Sequence, residues 1–345
     1  MLKVLMVGPA RSVKGGMTTV VDNYYNYGLD KLVNLKYIET INDSNKISKF
    51  IKEIKGMNEF KKIISQYDVV HIHMASRRST FRKGKYVRIA KKLGKRIIIH
   101  IHGAEYKLFY NECDEKKKQY IKDTLNMADK IIVLSEEWKE YFSNLVEPSK
   151  LTVIYNSIVI PEDFNKDLNT KKILFLGRLG QRKGIYDLLA VIEKLVKKYS
   201  DIKLYVGGDG EIEQVKSIID KNNLKNNVIY VGWTSGTKKE KLLKECSYFI
   251  LPSYNEGMPM SVLEGMAYKN VTISTNVGGI PKVIQNEENG IIINPGDQKA
   301  ISDYFELLFN NEKVRKKLSF YARKTIEEKF DIHKTIDKLL DIYKL

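Results

Sequence analysis

Short runs of consecutive apolar residues, each followed by a stretch with helical spacing, recur along the whole chain. In the first half the runs fall at 3–7, 35–39, 68–73, 96–102, 130–134 and 152–155. In the second half they fall at 172–176, 203–206, 228–231, 248–251, 271–274 and 290–293. Helical periodicity occupies intervals such as 18–28, 86–93, 185–197, 211–219, 238–245 and 259–267. Strands that are apolar on both faces and separated by helices predict parallel sheets covered on both sides. A polar, aperiodic stretch near 160–170 divides the pattern in two. The expected architecture is therefore α/β, with two doubly wound domains meeting across a cleft. Ligands of such sheets bind beyond the carboxyl ends of the strands.

Composition narrows the class. Of 345 residues, 43% are hydrophobic and 29% charged, enough for sizeable cores and too apolar for wholesale disorder. No apolar run approaches the ~20 residues of a membrane span. Residues 1–8 turn polar too quickly for a signal peptide and read as a first strand. Cys113 and Cys246 lie far apart without a CxxC, which argues against a disulfide framework or a cysteine-held metal and fits a reducing cytoplasm.

The net charge of +17 is concentrated in the first half, where residues 1–160 carry 29 Lys and Arg against 17 Asp and Glu. Between Val69 and Ala104 there is no acidic residue, while Arg77, Arg78, Arg82, Lys83 and Arg88 crowd one window. Such a field draws phosphate-bearing partners. Residues 83–93 place Tyr86, Val87, Ala90 and Leu93 on one side and basic residues on the other, the pattern of a helix lying on an anionic membrane surface. Nucleic acid is not the expected partner, because the window lacks interleaved aromatics and no nucleic-acid-binding motif occurs.

Several strand-to-helix junctions carry candidate chemistry. The segment Asn255-Glu256-Gly257-Met258-Pro259-Met260-Ser261-Val262-Leu263-Glu264 follows the apolar run at 248–251 and opens a helix. Free amides at Gly257, Met258, Met260 and Ser261, with the helix dipole, suit a diphosphate. Glu256 and Glu264 can accept hydrogen bonds from sugar hydroxyls. Gly177-Arg178-Leu179-Gly180-Gln181-Arg182-Lys183-Gly184 sets two cations, Arg178 and Lys183, beyond the strand at 172–176. Gly208-Asp209-Gly210 and Gly15-Gly16 are shorter glycine turns after strands, each either a tight turn or a backbone approach to phosphate.

Four of the five histidines form two HxH pairs, His71/His73 and His100/His102. Residues two apart share a strand face, so the four could meet on neighbouring strands. Core packing is the expectation and no metal is expected, since carboxylate and cysteine ligands are lacking nearby. His102 stands at a strand end before Gly103, where a cleft-facing acid, base or hydrogen-bond donor belongs. No DxD occurs anywhere in the chain, so positive charge for a diphosphate has to come from Arg178, Lys183 and helix termini.

In order and spacing, these segments resemble the retaining GT-B glycosyltransferases of family 4 (glycosyl transferases group 1), surface-polysaccharide type. Asn276-Val277-Gly278-Gly279-Ile280-Pro281 and Asn289-Gly290 add to the likeness, which is weakest from 40 to 95. The resemblance implies two Rossmann-like domains, an N-terminal acceptor domain at 1–160 and a nucleotide-sugar domain at 161–320. It also implies that a C-terminal helix at 321–345 returns toward the first. Catalytic roles carried over are Glu256 on the donor sugar's hydroxyls and His102 at the sugar or phosphate. Glu264 would hold the ribose, Arg178 and Lys183 the leaving diphosphate, and Gly16 would contact it through its backbone. Pro259 departs from the glycine-rich variant and removes one N–H.

The implied reaction is metal-independent, retaining transfer of a hexose or N-acetylhexosamine from a nucleotide sugar, a UDP-sugar being favoured. The implied acceptor is a polyprenyl-diphosphate-linked glycan of capsule, exopolysaccharide or other surface-glycan synthesis. Arg77, Arg78, Arg82, Lys83 and Arg88 are the candidates for acceptor or membrane contact on the inner face of the plasma membrane. A soluble-acceptor transferase and a GT-B sugar-nucleotide epimerase remain alternatives.

Overall fold

The computed structural model describes residues 1–103 and 105–344. Two compact units result, one formed by residues 1–159 with 332–345, the other by 160–331. The return to the first unit thus begins at Ile332, later than the expected 321, and Leu345 lies outside the described residues. The reason is local. The helix Glu312–Lys329 is one uninterrupted rod whose Leu318, Ala322 and Ile326 are buried in the second unit, so only the helix Ile332–Lys344 belongs to the first.

In the first unit six parallel strands are β1 (Lys3–Gly8), β2 (Asn34–Glu39), β3 (Val69–Met74), β4 (Arg96–Ile101), β5 (Lys130–Val133) and β6 (Leu151–Val153). Their order is β2-β1-β3-β4-β5-β6. In the second unit β7 (Lys172–Leu176), β8 (Lys203–Gly207), β9 (Val228–Gly232), β10 (Tyr248–Leu251), β11 (Val271–Thr275) and β12 (Ile291–Ile293) form a sheet ordered β12-β11-β10-β7-β8-β9. Every recorded pairing between strands is parallel. Both sheets are doubly wound α/β sheets, as the alternating pattern predicts.

Continuous burial along the central strands follows from coverage on both faces. All six residues of β3 and all four of β10 are buried. In each sheet the strand order reverses once, between β1 and β3 and between β7 and β10. At such a switch point the two following connections diverge to opposite faces and leave a crevice at the carboxyl ends. Arg178, Lys183 and Glu256 follow β7 and β10, and Gly16 follows β1, so these candidates lie at the two switch points.

Candidate active site

In the second unit the crevice is walled by the connection after β7 and the connection after β10. Tyr254 N donates to Arg182 O over 2.9 Å, and the Arg182 guanidinium donates to Asn255 O over 3.1 Å, tying the two connections together. Between them Lys183 forms an ion pair with Glu256 Oε1, both side chains being largely buried. The Ser253 hydroxyl donates to the same oxygen over 2.6 Å. Burial lowers the Lys183 pKa, while the Glu256 carboxylate beside it opposes the shift. A buried pair of this kind contributes little to stability by itself, because desolvation offsets most of the Coulomb gain. Its consequence is geometric: one carboxylate is held in one position.

The helix Met260–Ala267 begins just beyond, with Pro259 as its cap residue and no side-chain cap. Its first amides have no partner within the helix, and Gly257, Met258 and Met260 lie in the buried wall leading to it. Glu264 sits one turn into this helix, where Lys239 from the helix Gly236–Glu245 donates to Oε1 over 2.6 Å. Arg178 is exposed just past β7. The site therefore offers the exposed Arg178, two held carboxylates and a helix N-terminus. Ser253 and Lys239 were missed in the sequence, since a serine after a strand and a lysine in a Lys-Lys-Glu-Lys helix carry no distinguishing pattern.

Gly208 has a structural explanation that needs no ligand. Its φ is 153°, and a Cβ there would overlap Gly177 O of the neighbouring connection. Its N–H donates to Gly232 O over 3.0 Å, so it is not available to a phosphate. Gly208, expected to bind the donor, thus has its N–H engaged within the protein. Asp209 likewise lends its carbonyl to Leu179 N over 2.6 Å, and its side chain is half-buried.

Gly16 contrasts with Gly208. It opens the helix Gly16–Tyr27 after β1, and nothing lies within 4 Å of the Cβ it lacks. Gly208→Ala is expected to destabilise the fold by about 1–3 kcal/mol, read from urea unfolding. Gly16→Ala is expected to leave stability within about 0.5 kcal/mol of the parent. If a substrate approaches that backbone, its transfer rate nevertheless falls by about tenfold, as for a misplaced reactant.

The switch point of the first unit holds a cavity of about 220 Å³. Val13, Gly15 and Thr18 after β1, Thr40 and Ile41 after β2, and Ala75, Ser79, Arg82 and Lys83 after β3 contribute to its lining. Lys83 is only 1% exposed, and its ammonium donates to Thr40 Oγ1 over 2.7 Å. Burial pushes its pKa far down, and Arg82 beside it adds to the shift. Arg82 also lines the cavity and leaves a buried Nε without a partner. The charged form of an amine so placed is costly, so the Arg82 guanidinium supplies the standing positive charge of the cavity.

The other basic candidates stand elsewhere. Arg77, at φ 60°, pairs with Glu112 at 2.8 Å and Glu105 at 3.7 Å. Arg88 donates to Gly84 O and Thr124 Oγ1 and lies 3.7 Å over the Tyr120 ring, so it is a packing residue. Arg78 is exposed. The helix Arg78–Lys92 buries Tyr86, Val87 and Ala90 against the sheet as the crossover between β3 and β4. Its apolar side is thereby consumed by the core, which overturns the expectation that this helix lies on a membrane. Lys83 is buried and not a surface contact, and Arg77 and Arg88 are already engaged by the protein.

The four histidines do meet. His73 and His100 are direct partners in the β3–β4 register, and the rings stack with interplanar angles of 10–31°. His71 Nδ1 lies 2.7 Å from the Tyr343 hydroxyl, and His73 Nδ1 lies 2.8 Å from His102 Nε2. Ring nitrogens of His71, His73 and His100 lie within 4.8 Å of one another. Burial lowers the pKa of His71 and of His102 to about 3. His102 is therefore a neutral imidazole near neutral pH, suited to hydrogen bonding and not to carrying a standing positive charge.

Comparison with known proteins decides the class. The family described as Glycosyl transferases group 1 matches residues 156–325, and Glycosyltransferase Family 4 matches residues 40–160. This chain is a GT-B glycosyltransferase. The glycosyltransferase is 27% identical over 299 residues to a 2-deoxystreptamine N-acetyl-D-glucosaminyltransferase of Niallia circulans, covering 81% of this chain and 76% of the relative. It is 26% identical over 319 residues to the UDP-Gal:alpha-D-GlcNAc-diphosphoundecaprenol alpha-1,3-galactosyltransferase of Escherichia coli, covering 85% and 80%. The sucrose-phosphate synthase of Thermosynechococcus elongatus shares its fold with a TM-score of 0.82 at 17% identity, covering 100% and 98% of the two chains. No helix among the described residues is long and apolar enough to cross a membrane.

Proposed function

We propose that this glycosyltransferase moves a hexose or N-acetylhexosamine from a UDP-sugar, with retention and without metal, to a polyprenyl-diphosphate-linked glycan. The observation that carries the donor half is the Lys183–Glu256–Ser253 cluster at the start of the helix Met260–Ala267. Glu256, already aligned by two donors, accepts from the donor sugar's hydroxyls. Glu264 accepts from the ribose. One N–H of Lys183 is spent on Glu256, and the remaining two, with Arg178 and the helix amides of Met260 and Ser261, meet the leaving diphosphate.

The reaction develops oxocarbenium character at the anomeric carbon while negative charge builds on the diphosphate. Donors fixed before the reaction stabilise that charge without reorganising, which is the largest available effect where no metal takes part. His102 supplies a hydrogen bond at the sugar or its phosphate. For the acceptor, the cationic cavity of the first unit fits an anionic group, and the E. coli relative acts on a diphosphoundecaprenol-linked sugar.

The test is a transfer assay in EDTA with a panel of UDP-sugars and a polyprenyl-diphosphate-linked N-acetylglucosamine, the product's anomeric configuration being read by NMR. The expected product has the donor's configuration. An inverted product, or transfer that appears only on adding Mn²⁺, contradicts the mechanism. Transfer to free sugars at equal efficiency contradicts the acceptor, and donor isomerisation without acceptor points to an epimerase instead.

A further inference from the structure

The helix Lys46–Ile63 is unusual in having two apolar sides. Gly56 and the fully buried Phe60 face inward. A Cβ at Gly56 would overlap Glu39 O, so the helix is pressed closely onto β2. The opposite side presents Ile47, Phe50, Ile51 and Ile54, which are 73, 65, 46 and 44% exposed. Their spacing of i, i+3, i+4 and i+7 forms a single stripe. Elsewhere among the described residues, large exposed apolar side chains occur singly or as adjacent pairs. Four on one helix face need an occupant.

Charge identifies it. The helix carries six lysines against two glutamates. Glu53 and Glu59 lie to the sides of the stripe and are engaged by Lys85 and Lys36, each at 3.2 Å. Lys46, Lys55, Lys61 and Lys62 are exposed around the apolar face. A large apolar stripe bordered by lysines fits the interface of an anionic bilayer, where the side chains enter the acyl boundary and the ammonium groups meet lipid phosphates. A protein partner would have to match both features, whereas an anionic bilayer supplies both everywhere.

Position strengthens the case. Thr40 and Ile41 line the cavity that holds Lys83, and the chain runs from there directly to Asn45, whose side chain caps this helix at Ser48 N over 2.9 Å. We propose that the face of Ile47, Phe50, Ile51 and Ile54 docks this glycosyltransferase on an anionic membrane and brings the cavity to the lipid surface. The proposal deepens the reading of a lipid-linked acceptor and shares its premise that the acceptor sits at a bilayer.

The test is co-sedimentation with phosphatidylcholine vesicles with and without phosphatidylglycerol, for the parent and for Ile47→Ser/Phe50→Ser/Ile54→Ser. The parent is expected to bind the anionic vesicles, more weakly at high salt, and the triple variant to lose about tenfold in partition. A UDP-induced thermal shift retained by the variant shows that it is folded and keeps the donor site, so the result separates docking from donor binding. Lys46→Glu/Lys55→Glu is expected to weaken binding while leaving the apolar stripe intact. Equal vesicle binding by parent and triple variant overturns the proposal. So does a parent dimer in sedimentation velocity that the triple variant dissolves, since a second copy would then cover the face.

Discussion

Glu256→Gln should lower kcat/KM for sugar transfer by on the order of 10²–10³, the scale on which positioning and charge stabilisation are lost together. The amide keeps the shape of the side chain and can still accept from Ser253 and Lys183, whose ammonium otherwise faces the carboxylate. What it loses is the charge that orients donor hydroxyls and balances Lys183. Removing one partner of a buried pair costs about 3–5 kcal/mol when the other charge is stranded. Lys183 escapes part of that cost, because its pKa is already lowered and it can release its proton. A stability loss is therefore expected alongside the catalytic loss, and the two must be separated. In Glu256→Gln/Lys183→Met the buried charge is gone, so stability recovers while transfer stays low. Recovery of both stability and transfer in the double variant would mean that the pair is structural only.

Acid should unfold the first unit early. His71, His73, His100 and His102 all have folded pKa values pushed down by burial, two of them to about 3. In the unfolded chain each returns to about 6.5. Between those limits the unfolded state binds more protons, so stability is complete above about pH 6.5 and falls as pH drops toward 3. The slope grows with the number of histidines that gain a proton on unfolding, and four in one cluster make it large against a typical total of about 5–15 kcal/mol. Urea midpoints measured from pH 8 down to 4 should fall steeply below 6.5. His100→Leu should flatten that slope by roughly a quarter. Its two ring nitrogens have no partner in the structure, so its loss removes no hydrogen bond. A midpoint that is flat down to pH 4 would mean that the cluster is charged or ligated in solution.

The central strands were legible because they are short apolar runs, buried on both sides and bounded by polar residues. For β7 and β10 the observed limits coincide with those read from the sequence. The donor-side motifs were legible for a related reason: after a strand of a doubly wound sheet, glycines, cations and a helix start lie in a fixed place. Three things were hidden. The helix Lys46–Ile63 has apolar residues on two sides, so it shows no single stripe, and few of its residues enter the core. Lys83 lies within a basic run whose ordinary fate is solvent, and only the contact with Thr40 across 43 residues reveals it as a cavity group. The sequence left Gly208 as either a tight turn or a phosphate contact, and only the close passage of Gly177 reveals the packing demand there.

The most direct test of the central claim is the thermal unfolding shift produced by UDP in EDTA, measured for the parent and for Glu264→Ala. At about 100 times its dissociation constant a ligand adds about 2.7 kcal/mol of apparent stability. The account predicts a clear shift for the parent without metal, little with ADP, and none for Glu264→Ala. No shift with UDP unless a divalent metal is added, or an equal shift in Glu264→Ala, would contradict a metal-free donor site built on the helix Met260–Ala267.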